Sequence, residues 1–126
     1  MGILDGMLGN ASTFSTKEAK KELEKILVPE EEIEAAFKLV RDLIIFTDKR
    51  LILVDKQGIT GKKMEFHSVL YKSITHFSVE TAGTFDLDSE LKIWIGGSVE
   101  PTITKLFKKD SSIFDIQKIL SVLTLK

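Results

Sequence analysis

Few side chains in this sequence could carry chemistry, and their spacing decides what they could do. There is no cysteine among the 126 residues. Disulfide frameworks, thiolate zinc sites, thiol nucleophiles and redox centres are therefore excluded together. His67 and His76 are the two histidines, too few for a histidine-only zinc site. A mixed site would have to recruit Glu65 or Glu80, and ordinary strand histidines are the expectation. Gly58-Ile-Thr-Gly-Lys-Lys63 approaches a phosphate loop. A Walker loop needs Gly where Lys56 stands, Ser or Thr where Lys63 stands, and a helix to open; here a strand follows. Gly58-x-x-Gly61 also fits the backbone clamp of a KH domain, but in the wrong helical context. Asp86-x-Asp88-x-Glu90 opens like a calcium loop, yet Leu91 occupies the position of the required glycine. Gly96-Gly-Ser-Val-Glu100 misses a nucleophile elbow by its final glycine. The sequence therefore predicts no enzyme, no catalytic residue, no cofactor and no metal.

One cluster retains a chemical reading. Lys56, Lys62 and Lys63 flank the glycine loop and form a basic tip, the candidate site for an anionic ligand or an acidic membrane surface. The charge balance gives it little help. Of 18 basic and 19 acidic residues, 5 and 8 fall in residues 1–40, 7 and 4 in residues 41–76, and 6 and 7 in residues 77–126. A nucleic-acid binder carries a far stronger basic bias, so nucleic acid is not an expected partner. The longest apolar runs, Leu43 to Phe46 and Leu51 to Val54, are four residues each, against about twenty for a membrane-spanning helix. MGILDGMLGN lacks a basic secretory n-region, and Gly6 stands where myristoylation wants Ser or Thr. A cytoplasmic location is expected.

These residues need a scaffold, and hydrophobic periodicity supplies one. With 43% hydrophobic and 29% charged residues, the chain is ordinary for one globular domain, with about two-thirds of its surface buried on folding. Residues 1–15 read as a flexible tail with apolar Ile3, Leu4, Met7 and Leu8. Ser15-Thr-Lys-Glu18 is a capping box, and Ala19, Leu23, Ile26 and Leu27 follow at helical spacing. They predict a helix over 16–28 that Pro29 ends. Strands are expected between 32 and 107. Ile33, Ala35, Phe37 and Leu39 alternate in the first; 43–47 and 50–56 form a hairpin about Asp48-Lys49. A fourth covers 62–70, with Met64, Phe66 and Leu70 on one face. The remaining three are 73–81, 90–95 and 101–107. Asp110, Ser111 and Ser112 are N-cap candidates for a last helix, 112–125, with Ile113, Ile116, Ile119, Leu120 and Leu123 on one side. The fold class is mainly β: seven antiparallel strands in a barrel, capped by a C-terminal helix, with an extra N-terminal helix. Residues 16–126 form a single domain.

The stretch Phe46-Thr-Asp-Lys-Arg-Leu-Ile-Leu-Val-Asp-Lys-Gln-Gly-Ile-Thr-Gly-Lys-Lys63 resembles the bacterial pleckstrin-homology (PH) domain family. Tyr71-Lys-Ser-Ile-Thr75, Phe77-Ser-Val-Glu-Thr-Ala-Gly83, Phe85-Asp-Leu-Asp88 and Glu90-Leu-Lys-Ile-Trp-Ile95 match the same family in order. The resemblance spans nearly the whole chain. It implies a PH-like barrel and ring-shaped homo-oligomers, and no established enzyme activity. Phosphoinositide-binding relatives set several cations around the first hairpin. Here that connection offers Lys38 and Arg41 beside Asp42, and Phe114 is the only aromatic residue of the last helix. Phosphoinositide binding is therefore not expected.

The second and third strands are apolar on both faces. Leu43 and Ile45 oppose Ile44 and Phe46; Leu51 and Leu53 oppose Ile52 and Val54. A strand with one wet face should alternate instead. Trp94 likewise stands beside Lys92 on the polar side of its strand. Ile44, Phe46, Ile52, Val54 and Trp94 are thus the candidate contacts of a homo-oligomer, which would present repeated loops to another protein. Cover by the chain's own helices and tail is the alternative, and the tail is a second candidate contact.

Overall fold

The computed structural model describes residues 16–39, 42–58, 62–83, 88–108 and 113–125. The capping Ser15, the tail apolar residues, Arg41, Gly61, Phe85, Asp86 and the N-cap candidates 110–112 lie outside the described residues. The chain forms two compact units that divide between Leu70 and Tyr71.

The first unit begins with α1, Thr16–Glu22. Glu18 lies in its first turn and Lys20 and Lys21 in its last, matching the helix dipole at both ends. Regular helix stops well short of residue 28. Backbone bonds continue from Leu23 N to Ala19 O (3.0 Å) and from Leu27 N to Leu23 O (3.0 Å). Ile26 N, however, bonds the nearer Leu23 O at 2.9 Å, so this last turn is tightened. Pro29 then disfavours helix at Val28, and Glu30 turns the chain with a φ of 70°. Four antiparallel strands follow in spatial order: β1 (Ile33–Lys38), β2 (Leu43–Thr47), β3 (Arg50–Gln57) and β4 (Lys63–Leu70).

Two strand faces differ from the sequence expectation. In β1 the register slips between Ile33 and Ala35. Beyond the slip Ala35, Ala36 and Phe37 pair regularly and are all buried in succession, because both faces of the strand are covered: Ala36 lies in the cluster with α1 and Phe37 meets Phe46 on the other face. In β4 the apolar set does not form a buried face. Phe66 is 38% and Leu70 49% exposed, whereas Val69 is buried. β4 is an edge strand of its sheet, so its apolar side chains lack the neighbours that bury those of β2 and β3.

The second unit opens with a 3₁₀ turn, Tyr71–Ser73. β5 (Ile74–Glu80), β6 (Asp88–Ile95) and β7 (Ile103–Lys108) follow as an antiparallel sheet in that order, and α2 spans Ile113–Thr124. Gly96 makes the β6–β7 turn with a φ of +61°, which glycine adopts without steric penalty. Leu91, Ile93, Ile103 and Phe107 are buried, as are Ile113, Ile116, Ile119, Leu120 and Leu123 of α2. The 3.6-residue stripe of α2 is thus its buried side, and the helix packs on β5, β6 and the 3₁₀ turn. The architecture is the expected mainly β one: seven antiparallel strands in two sheets, with a helix near each end.

Candidate functional site

The apolar candidates separate when placed in the structure. Ile52 and Val54 belong to one buried cluster with Leu43, Ile45, Ala36, and Ala19 and Leu23 of α1; Ile26 and Leu27 pack against it. The four-residue stripe of the N-terminal helix therefore covers this face of the sheet. Ile44 and Phe46 point to the opposite face and are also 0% exposed. Phe46 meets Phe37 edge-to-face, with ring centroids 6.1 Å apart and an interplanar angle of 86°, a favoured aromatic geometry. A side chain without accessible surface cannot itself meet a second subunit. The assignment of Ile44, Phe46, Ile52 and Val54 as direct contacts is corrected accordingly: both faces of β2 and β3 are apolar because both are interior.

Trp94 keeps an accessible surface. The β5–β6 register sets it opposite His76. The imidazole stacks on the indole at a centroid distance of 4.2 Å and an interplanar angle of 21°. The indole N–H donates to the Val99 carbonyl at 3.1 Å, while Val99 itself is 89% exposed. Trp94 is therefore held flat and fixed on the polar side of β6. On the same strand face Lys92 pairs with Glu90 at 3.3 Å.

The three lysines do not converge. The β3–β4 register pairs Lys56 with Met64 and Gln57 with Lys63. Strand side chains alternate, so Lys56 and Lys63 lie on opposite faces. The Lys56 ammonium sits 3.2 Å from Glu22 Oε1, and the Lys56 backbone N–H donates to Asp42 Oδ1 at 3.0 Å. Lys62 and Lys63 are exposed at the other end of the loop. Lys56 instead lines an open groove of about 570 Å³, where Lys21, Lys38 and Lys56 are matched by Glu18, Glu22 and Glu24. Three carboxylates against three ammonium groups give this groove no net attraction for an anion. Phe114 is 61% exposed on α2. His67 stands opposite Leu53. Among the described residues no three His, Asp or Glu side chains gather in an arrangement that could hold a metal ion.

A polar node was invisible to sequence patterning. The Glu31 side chain is fully buried. Its Oε2 accepts from Thr47 Oγ1 at 2.6 Å and Arg50 Nε at 2.9 Å; its Oε1 accepts from Arg50 Nη2 at 3.0 Å and the Val28 N–H at 3.1 Å. Arg50 also donates to the Ile26 carbonyl at 2.8 Å and to Ser68 Oγ at 2.9 Å. Thr47 Oγ1 in turn accepts from the Lys49 and Arg50 amides at 3.1 and 3.0 Å, closing the β2–β3 turn. Burial pushes the Glu31 carboxyl up. The hydrogen bonds from Arg50, Thr47 and Val28, with the Arg50 charge, outweigh that effect and hold its pKa at about 2. The bidentate arginine fork fits the carboxylate. With both carboxylate oxygens doubly bonded, the node is a staple between the end of α1, the hairpin and β4, and no lone pair is presented to a substrate. Thr47-Asp-Lys-Arg50 signalled a turn in the sequence; nothing local signalled that Glu31 would reach it from nineteen positions away.

This arrangement of sheets and helices is that of a PH-like domain. The bacterial PH domain family model matches residues 2–124, and the chain belongs to that family. It is 70% identical over 121 residues to the uncharacterized protein YjqA of Bacillus subtilis (strain 168), covering 96% of this chain and 97% of the relative. Among solved structures, it resembles a pleckstrin homology domain from Shewanella amazonensis SB2B with a TM-score of 0.81 and 51% identity, covering 99% of this chain and all of the other. A family DUF1696 protein with a pleckstrin-homology domain from Shewanella loihica PV-4 gives a TM-score of 0.77 and 49% identity, with coverage of 92% and 98%.

Proposed function

We propose that this chain is a non-enzymatic, self-assembling PH-like domain that serves in the cytoplasm as a ring-shaped homo-oligomeric scaffold or protein-interaction module. The observation that carries this reading is Trp94. It is the one tryptophan of the chain, stands on the polar side of β6, and is immobilised by His76 and the Val99 carbonyl beside a highly exposed valine. A pre-ordered aromatic anchor with apolar company is the usual centre of a protein interface. The ring geometry comes from the family resemblance. The alternative, an anion-binding module at Lys56, Lys62 and Lys63, has less support because Lys56 is engaged by Glu22 and faces away from Lys63.

Trp94→Glu tests the reading. Size-exclusion chromatography with light scattering should show a lower assembly mass than the parent, with an unchanged far-UV spectrum. A variant that keeps the parent's mass would remove Trp94 from the interface.

A further inference from the structure

We propose that the groove between α1 and the ends of β1, β2 and β3 binds a small zwitterion, a molecule with a free ammonium and a free carboxylate such as an amino acid or a short peptide. Its carboxylate would face the sheet and its ammonium the helix. This goes beyond the self-assembly reading and does not rest on it.

Strand register builds the floor. Lys38 stands opposite Leu43, and Leu43 opposite Val54; directly opposite residues share a face. Lys56 follows Val54 by two positions and points the same way. Leu43 and Val54 lie in the buried cluster with Ala19 and Leu23 of α1, so this is the face that α1 covers. Lys38 ends β1 and Leu43 begins β2, which sets the groove at the rim of that cluster. It holds about 570 Å³, within the usual range for small-ligand sites.

The two walls carry opposite charge. α1 and the turn after it contribute the carboxylates of Glu18, Glu22 and Glu24 against one ammonium, Lys21. The sheet contributes the ammonium groups of Lys38 and Lys56. The groove is thus neutral as a whole and polarised across its width. Lys56 and Glu22 meet across it at 3.2 Å, with side chains 31% and 32% exposed. A simple anion is drawn to one wall and repelled by the other, and a simple cation likewise. A ligand with separated charges gains at both walls, in one orientation. Solvent-exposed charge pairs are individually weak, so a dissociation constant of about 1 mM is expected.

Saturation-transfer NMR on the full chain at low ionic strength tests this, with triglycine and glycine as probes. Saturable binding is expected, and whichever probe binds more tightly assigns the source, peptide termini or free amino acid. N-acetyltriglycine lacks the ammonium and triglycine amide lacks the carboxylate; each should bind about tenfold more weakly than triglycine. Glu22→Lys combined with Lys56→Glu keeps the net charge and a pair of opposite charges across the groove, but leaves each wall neutral. That double variant should bind triglycine about tenfold more weakly, with an unchanged far-UV spectrum. Lys38→Gln, at an exposed strand end, should weaken binding in the same direction and does not depend on the double variant folding. If neither probe binds, if the blocked peptides bind as well as triglycine, or if the folded variants bind like the parent, the assignment is overturned.

Discussion

Replacing Glu31 with Gln should destabilise the chain by about 3 kcal/mol at pH 7, and the loss should shrink as the solution is acidified. The magnitude follows from proton linkage. The folded carboxyl titrates at about 2 instead of the ordinary 4.5, roughly 2.5 pH units at about 1.4 kcal/mol each. The same figure falls in the range for breaking a buried ion pair, about 3–5 kcal/mol, since Gln strands the Arg50 guanidinium, which is only 19% exposed. The sign is fixed by the depressed pKa: the contribution is fully present above about pH 5 and is lost as pH falls from there through 2, because the unfolded chain takes up the proton first. Urea unfolding of parent and Glu31→Gln, at one protein concentration and at pH 7, 5, 4 and 3, measures it. The difference should hold near 3 kcal/mol down to pH 5 and decline to about 1 kcal/mol by pH 3. A difference below 1 kcal/mol at pH 7, or one that stays constant down to pH 3, would refute the staple.

Leu23→Ala removes a fully buried side chain from the seam between α1 and the sheet and should destabilise by about 2–5 kcal/mol, while Phe114→Ala, at an exposed position of α2, should change stability by less than about 0.5 kcal/mol; denaturant midpoints compare the two. Gly96→Ala meets no atom within 4 Å but must hold a φ of +61°, so it should lower stability by about 1 kcal/mol, and Gly97→Ala in the same turn should not.

The elements were legible because each carries its own period. LIIFT and RLILVDK, joined by Asp48-Lys49, could only be a hairpin, and the isoleucine stripe of the last helix matched its buried face residue for residue. What the sequence did not show was which element covers which face. Apolar residues on both sides of β2 and β3 state that both faces are dry, but not whether α1 or another subunit keeps them so; the four-residue stripe of α1 answers this for Ile52 and Val54. Trp94 was legible as an apolar side chain on a polar face, whereas its stack on His76 needed the β5–β6 register. Lysines close in sequence seemed a cluster, yet strand alternation sends Lys56 and Lys63 apart. The Glu31–Arg50 pair joins positions with no periodic relation, so only the folded chain reveals it.

Self-assembly is tested most directly by the solution mass of the unmodified chain, measured by light scattering across a dilution series. A mass that holds at a fixed multiple of 14.2 kDa over the series is the predicted result. A mass of one chain at every concentration would contradict it, and would make the accessible Trp94 face a feature of a monomer.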